Sequence, residues 1–163
     1  MYRQKSEIIE QIQSYHKQVA RLYFDIYEKA EDEKIRSLIF ELYEHERNRE
    51  AYLGRHKKIA EAMNCWLDFP CDKLSNQITE CFNNNINPGS EMTMEDLIKI
   101  ELYFDDCLIK LYNILAAENE LSETVANIFY YMLKKTKKEQ AMFADMLYNS
   151  KNNLHSGISF QTT

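Results

Sequence analysis

The sequence predicts an all-α protein, a four-helix bundle with one long crossover between its second and third helices. Only three glycines and two prolines occur in 163 residues, and three of these five lie in residues 64–93. Glycine and proline are the residues that interrupt helices most strongly. On both sides of that segment, apolar residues recur at spacings of three and four, which is the period of an amphipathic helix. Short turns within each half then indicate two helical hairpins.

The composition predicts one globular domain, residues 1–149, followed by a polar and flexible tail, residues 150–163. The net charge of −6 argues against binding to nucleic acid or to an anionic membrane. No run of about 18 apolar residues and no apolar signal core occur, so we expect a cytoplasmic protein without a membrane span. The cysteines form no C-x-x-C pair, so reduced thiols are expected at positions 65, 71, 81 and 107.

The first hairpin is predicted from two periodic stretches, residues 4–30 and residues 33–63. The seam of the first stretch is apolar except at His16, and Asp32 is a candidate N-cap for the second. The second seam is apolar through Leu42 and is then occupied by Glu46 and Arg49. A connection this short predicts that the two helices pack antiparallel.

The second hairpin follows a long connection, residues 64–93, in which residues 72–82 are a candidate short helix. Thr93 and Asp96 have the spacing of a capping box, which predicts a third long helix over residues 94–117. Ser122 is a candidate N-cap for a fourth helix over residues 123–149. The seams of these helices carry Glu101 and Glu139 among apolar residues.

One polar residue therefore interrupts the apolar seam of each predicted helix, namely His16, Glu46, Glu101 and Glu139, with Arg49 one turn after Glu46. At 1.5 Å per residue, the first two lie roughly 21–23 Å from the first turn, and the last two roughly 25 Å from the second. All of them should share one level in the middle of the bundle. Buried charges are unfavourable unless they are paired or bind an ion.

This arrangement resembles the ferritin-like superfamily, and in particular its rubrerythrin branch, over residues 5–149. The resemblance rests on the first hairpin with Glu46-x-x-Arg49, the long crossover and the second hairpin. In that family, a Glu on helix 1, Glu-x-x-His on helix 2, Glu on helix 3 and Glu-x-x-His on helix 4 hold two iron ions. The resemblance implies a ferritin-like fold and a candidate metal site at His16, Glu46, Glu101 and Glu139.

The sequence departs from the family pattern in three helices. His16 stands at the glutamate position of helix 1, Arg49 at the histidine position of helix 2, and helix 4 reads Thr136-x-x-Glu139. A rubredoxin-like cysteine pair is also absent from the sequence. Arginine is a permanent cation and is not a metal ligand. The di-iron motif is therefore incomplete, and we do not expect a di-iron enzyme.

Two functional hypotheses follow from these residues. In the first, the protein is an interaction or scaffold module, and His16, Glu46, Arg49, Glu101 and Glu139 form an internal salt-bridge network without a cofactor. In the second, the same carboxylates and His16 hold a single iron or manganese ion, for iron storage or for handling peroxide and oxidative stress, and Arg49 is displaced outward. Neither hypothesis assigns a catalytic residue.

Other features each allow two interpretations. His45 is expected to be half-buried or exposed, with a metal pair with Glu41 as the alternative. The four lysines in residues 134–138 are expected to form a solvated helix face, with an anion site as the alternative. A disulfide between Cys65 and Cys71 is the alternative to reduced thiols.

Apolar residues also lie off the main seams. Ile8, Tyr15 and Leu22 form a second stripe on the first helix, and Tyr130 and Tyr131 are adjacent on the fourth. A second apolar stripe favours a partner helix, most simply that of a homodimer, although a different protein partner would also satisfy it.

Overall fold

The protein is all-α, as shown by a computed structural model that describes residues 2–62, 66–68, 71–83, 92–117 and 123–156, with side chains in 7–58, 74–83, 92–117 and 123–152. Two three-residue strands form one antiparallel pair in which Arg3 lies opposite Leu67. In chain order, the elements are β1 (Tyr2–Gln4), α1 (Lys5–Lys29), α2 (Glu33–Ala62), β2 (Trp66–Asp68), α3 (Cys71–Asn83), α4 (Met94–Ala116) and α5 (Glu123–Ser156).

The first hairpin consists of α1 and α2, as the sequence predicts. Asp32 caps α2, because its Oδ1 accepts hydrogen bonds from the backbone N–H groups of Lys34 at 2.8 Å and Ile35 at 3.0 Å. The rings of Tyr27 and Phe40 meet near the turn. At the opposite end, Lys57 Nζ lies 3.3 Å from Glu10 Oε1. These contacts at both ends show that the helices are antiparallel.

The second hairpin consists of α4 and α5. The predicted capping box is confirmed, because Thr93 Oγ1 accepts from the Asp96 N–H at 3.1 Å and Asp96 Oδ2 accepts from the Thr93 N–H at 3.0 Å. The fourth helix is longer than predicted, since α5 continues through Ser156. Its last turns remain close to the start of α4, where Lys151 Nζ lies 3.5 Å from Glu95 Oε1. The predicted end of the fourth helix at residue 149 is therefore wrong, and residues 157–163 of the predicted tail lie outside the described part of the chain.

The crossover contains the predicted short helix, α3, which packs on α1 and α4. The ring of Phe82 lies 5.3 Å from that of Tyr15 and 5.6 Å from that of Phe104, measured between centroids. Tyr15 and Ile8 are consequently buried within the chain. The interpretation of this stripe as a surface for a partner helix is therefore wrong for Ile8 and Tyr15, whereas Leu22 of the same stripe is half-buried. Ser122 and the predicted Cys65–Cys71 alternative lie outside the described residues.

Buried apolar side chains from all four long helices form one core, and they include Ile12, Val19, Ile39, Leu42, Leu53, Leu97, Leu108, Leu111, Phe129 and Met132. Removing apolar surface from water is the main favourable contribution to folding. Polar side chains are buried within the same core, namely those of His16, Glu46, Arg49, Glu50, Glu101, Asp105 and Thr136. Within the described ranges, no helix is both long enough and apolar enough to cross a lipid bilayer.

Candidate functional site

The candidate site is an ionic cluster in the middle of the core, centred on Arg49 of α2. We call it the Arg49 cluster, and it contains His16 of α1, Glu46 and Arg49 of α2, Glu101 and Asp105 of α4, and Glu139 of α5. All five residues that the sequence places in one polar layer therefore meet in space. Depth along each helix could predict this meeting, because the rise per residue is constant.

Arg49 contacts carboxylates from three helices. Its Nη1 donates to Glu46 Oε1 at 2.7 Å, and its Nη2 donates to Asp105 Oδ1 at 3.0 Å and to Glu139 Oε2 at 2.6 Å. Glu101 Oε1 lies farther away, 4.0 Å from Nη1. Only 1% of the Arg49 surface is exposed, so these charge-assisted hydrogen bonds replace the water that the guanidinium loses on folding.

His16 holds the other oxygen of Glu46. Its Nδ1 lies 2.6 Å from Glu46 Oε2, and its Nε2 lies 3.3 Å from the hydroxyl of Tyr112. Burial lowers the pKa of His16 more than the adjacent Glu46 raises it. We therefore assign the neutral ring, in which Nδ1–H donates to Glu46 and Nε2 accepts from Tyr112. In this tautomer, neither ring nitrogen has a free lone pair for a metal.

Glu101 has one satisfied oxygen and one orphan. The Tyr23 hydroxyl donates a short hydrogen bond to Glu101 Oε2, whereas no described residue donates to Oε1. Asp105 is similar, because Oδ1 accepts from Arg49 and Oδ2 accepts from no group in the described part of the chain. Buried polar atoms are normally paired, so these two orphan oxygens mark where the cluster is incompletely compensated.

Glu139 lies at the edge of the cluster. Its side chain is 13% exposed, whereas those of Glu46 and Glu101 are fully buried. Nε2 of the half-buried His45 lies 2.9 Å from Glu139 Oε2, without the alignment of a hydrogen bond. The expectation that His45 is half-buried or exposed is confirmed. Its acidic partner is Glu139 on another helix, and among the described residues no ion pair or hydrogen bond joins it to Glu41.

The pKa values of two carboxyl groups are lowered by their partners. Burial alone raises the pKa of Glu46, but Arg49 and His16 outweigh burial and hold that pKa below its usual value. Burial also opposes ionisation of Glu139, yet His45 and Arg49 lower the pKa of this carboxyl group to about 2. Glu46 and Glu139 are therefore ionised at neutral pH and provide the counter-charge of Arg49.

The other two carboxyl groups shift in the opposite direction. Burial, followed by repulsion from Glu46, raises the pKa of Glu101 to about 7. Burial, followed by repulsion from Glu101, raises the pKa of Asp105 to about 8. The cause is an excess of negative charge, since four carboxylates facing one guanidinium leave a charge of −3 when both histidines are neutral.

Sequence reasoning missed three participants. Asp105 lies one turn after Glu101 on α4, and this i, i+4 spacing of carboxylates is a signal that could have found it. Tyr23 was recognisable only as a seam residue, because nothing in the sequence indicates that its hydroxyl meets Glu101. Tyr112 gives no sequence signal, since a tyrosine on a core-facing helix is an ordinary packing residue.

The residues of the Arg49 cluster do not fit a dinuclear metal centre. Both oxygens of Glu46 already accept hydrogen bonds, and a guanidinium lies between the carboxylates that would have to bind the ions. Among the described residues, no group of three or more His, Cys, Asp or Glu side chains is arranged to hold a metal ion. This geometry instead provides one guanidinium group, that of Arg49, which joins α2 to α4 and α5.

Comparison of the chain with models of known protein families, with curated proteins and with solved structures gives no match. The ferritin-like resemblance stays a prediction from the sequence.

Proposed function

We propose that this protein is a ferritin-like four-helix bundle that acts as an interaction or scaffold module and not as a di-iron enzyme. The observation that carries the proposal is the position of Arg49, whose guanidinium donates to carboxylates of α2, α4 and α5 at the centre of the core. In the ferritin-like family that the sequence resembles, the position of Arg49 on helix 2 holds a histidine ligand of iron, and arginine is a permanent cation that does not bind metal. The cluster then serves to fix how the two hairpins pack.

The two hairpins themselves support this reading. The helices within each hairpin share extensive apolar contacts, whereas few contacts join α2 to α4. Hydrogen bonds from Arg49 to Asp105 and Glu139 join α2 to both helices of the second hairpin, beside hydrogen bonds from α1 such as that of Tyr23 to Glu101. Apolar packing tolerates sliding of one helix along another, but a buried charge pair fixes a single register. A bundle of fixed shape is suited to presenting a binding surface.

Elemental analysis tests the proposal directly. The full chain is produced in cells grown with added iron or with added manganese, and the bound metal is then counted per chain. We expect only trace metal in the wild-type chain and in Glu46→Gln alike. Near-stoichiometric metal that is lost in Glu46→Gln but kept in the exposed control Glu41→Gln would overturn the proposal.

A second candidate function is the binding of a single iron or manganese ion, for iron storage or for peroxide handling. The observation in its favour is the pair of orphan oxygens, Glu101 Oε1 and Asp105 Oδ2, in a cluster with excess negative charge. Hard carboxylate oxygens suit these ions. In this candidate, Glu46, Glu139 and His16 complete the ligand set and Arg49 swings away from the centre. The same metal count decides between the two functions.

We also propose a cytoplasmic homodimer. Tyr130 is 63% exposed on α5, and a large exposed aromatic side chain favours an interface. Sedimentation equilibrium over a hundredfold range of protein concentration tests the proposed dimer. The wild-type chain and the variant Tyr130→Ser are measured side by side. We expect the wild-type chain to sediment as a dimer and Tyr130→Ser to dissociate at higher concentration, and a monomer at all concentrations would refute the dimer.

A further inference from the structure

A groove of about 910 Å³ opens between α2 and α5, beside the exposed edge of the Arg49 cluster. Its walls combine three lysines of α5, Lys134, Lys135 and Lys138, with the side chains of Tyr131 and Met142. Sites for small molecules have volumes of roughly 300–1,000 Å³ and are largely apolar with a few convergent polar groups. We infer that this lysine groove binds an amphipathic organic anion, whose acid group pairs with the lysines and whose apolar body lies along Tyr131 and Met142.

The groove is positively charged although the chain carries a net charge of −6. Within the described residues, no acidic oxygen lies within 4.0 Å of the ammonium groups of Lys134 and Lys138. Lys135 Nζ lies 4.0 Å from Glu139 Oε1, the one acidic side chain in the groove wall. Three lysines against this one carboxylate leave the groove wall with a charge of +2 when His45 is neutral. The lysines thus retain positive charge for a ligand.

The apolar part of the groove is long and held in place. Tyr131 stacks on Tyr52 of α2 with ring centroids 5.0 Å apart, so its ring is fixed at one end. Met142 is 55% exposed at the other end. The two residues are eleven positions apart on α5, which spans roughly 16 Å of helix. The methylene stems of the lysines between them add further apolar surface.

This length and composition decide the class of ligand. A bare inorganic anion would leave the surfaces of Tyr131 and Met142 in water, and an uncharged lipid would leave the lysines without a partner. A molecule with both parts uses both walls. The sequence predicts a solvated helix face in residues 134–138, and the structure shows that three of these lysines line a groove. The inference does not depend on whether the Arg49 cluster binds metal.

The probe for the test is decanoate, which has one acid group on a flexible apolar chain. The full chain is labelled with ¹³C at the methionine methyl groups, and decanoate is titrated below its micelle concentration. We expect a saturable shift of the Met142 signal and none of Met94, which is at the start of α4. Acetate and 1-decanol, which each lack one part, should bind at least about tenfold more weakly. Comparison with decyl phosphate then separates carboxylate from phosphate as the preferred acid group.

Variants locate the charge requirement. The triple variant Lys134→Gln, Lys135→Gln and Lys138→Gln should weaken decanoate binding at least about tenfold. The matched control is Lys29→Gln, Lys34→Gln and Lys137→Gln, which removes the same charge from exposed lysines outside the groove and should bind as the wild-type chain does. Three results would each overturn the inference: no shift of Met142, equal binding of decanoate and 1-decanol, or an equal loss of binding in both triple variants.

Discussion

Nη2 of Arg49 on α2 lies 2.6 Å from Oε2 of Glu139 on α5, and this contact joins the first hairpin to the second across the core. The same nitrogen lies 3.0 Å from Asp105 Oδ1 on α4. One donor group therefore binds both helices of the second hairpin. Because a buried guanidinium without partners is strongly unfavourable, the two hairpins are held in the arrangement that keeps both contacts.

Replacing Arg49 with alanine should destabilise the protein more than any single apolar truncation at the surface. Glu46, Asp105 and Glu139 would lose their cationic partner while they remain partly or fully buried. Breaking a buried ion pair by removing one partner costs about 3–5 kcal/mol. Urea unfolding followed by circular dichroism measures the change. The exposed Arg21→Ala is the control and should stay within about 0.5 kcal/mol of the wild type.

The position of this layer could be predicted from sequence, and the reason is geometric. His16, Glu46, Glu101 and Glu139 each interrupt an apolar seam, and a fixed rise per residue places them at one level if the hairpin turns are correctly located. Asp32 locates the first turn because it caps α2, and Thr93 locates the start of α4, whereas the turn between α4 and α5 lies outside the described residues. Local signals thus fixed the helix starts, and the long-range contact followed from them.

Features that depend on packing between distant elements could not be predicted. The stripe of Ile8, Tyr15 and Leu22 resembles a surface for another chain, but Phe82 of α3 packs on Tyr15, and Ile8 is buried too. The sequence predicts a short helix in the crossover but contains no signal for the surface on which that helix packs, because the tertiary structure decides its position. The sequence also predicts too early an end for α5, because residues 150–156 are helical although they carry no apolar seam.

The partners of individual polar groups were also beyond the sequence. The polar layer that the sequence predicts includes Glu101 but not Asp105, although both side chains are fully buried on α4. A seam drawn at three- and four-residue spacing is narrower than the face that a helix buries among three neighbours. The side chain of Arg49 could be placed in the core, but which carboxylates it binds depends on side-chain conformations.

Replacing Glu139 with glutamine should make the free energy of unfolding depend less on pH in the acidic range. The folded-state pKa of Glu139 is about 2, below its ordinary value of 4.5, so its ionised form stabilises the folded protein above about pH 5. That stabilisation is lost as the pH falls towards 2. The full pKa difference corresponds to about 3.4 kcal/mol, which solvent at the exposed edge of the cluster reduces, so at pH 7 Glu139→Gln should be less stable than the wild type by about 2 kcal/mol. This difference should shrink between pH 5 and pH 3.

The measurement is the urea midpoint of the wild type and of Glu139→Gln at pH 7, 5, 4 and 3. The exposed Glu41→Gln on α2 removes the same charge and should differ from the wild type by a small amount that does not change with pH. A constant difference for Glu139→Gln over this range would show that its ionisation is not linked to folding.

Glutamine at position 101 should reduce the loss of stability at alkaline pH. The folded-state pKa values of Glu101 and Asp105, about 7 and about 8, lie above their ordinary values of 4.5 and 3.8. Between those limits the folded protein binds more protons than the unfolded chain, so stability falls as the pH rises, by at most about 1.4 kcal/mol per pH unit for each group. Glu101→Gln removes one of the two contributions.

Comparing urea midpoints at pH 5.5 and pH 8 measures this effect. We expect the fall in stability between these pH values to be smaller in Glu101→Gln than in the wild type. Asp106→Asn changes an exposed acid next to Asp105 and should leave the fall unchanged. An unaltered fall in Glu101→Gln would mean that Glu101 is ionised throughout this range.

Phenylalanine at position 23 should destabilise the protein in a way that depends on the charge of Glu101. The Tyr23 hydroxyl is the hydrogen-bond donor to Glu101 Oε2, while no described residue donates to Oε1, so the variant leaves the carboxyl group without a close donor. Loss of a hydrogen bond to a charged group costs about 1.5–3 kcal/mol, and to a neutral group about 0.5–1.5 kcal/mol. Because the pKa of Glu101 is about 7, the loss of stability should be larger at pH 8 than at pH 5.5.

Urea unfolding of the wild type and of Tyr23→Phe at both pH values tests this prediction. The matched control is Tyr43→Phe, which removes a hydroxyl group from the outer surface of α1 and α2 beside Phe24. An equal loss at both pH values would show that the hydroxyl stabilises Glu101 irrespective of its charge.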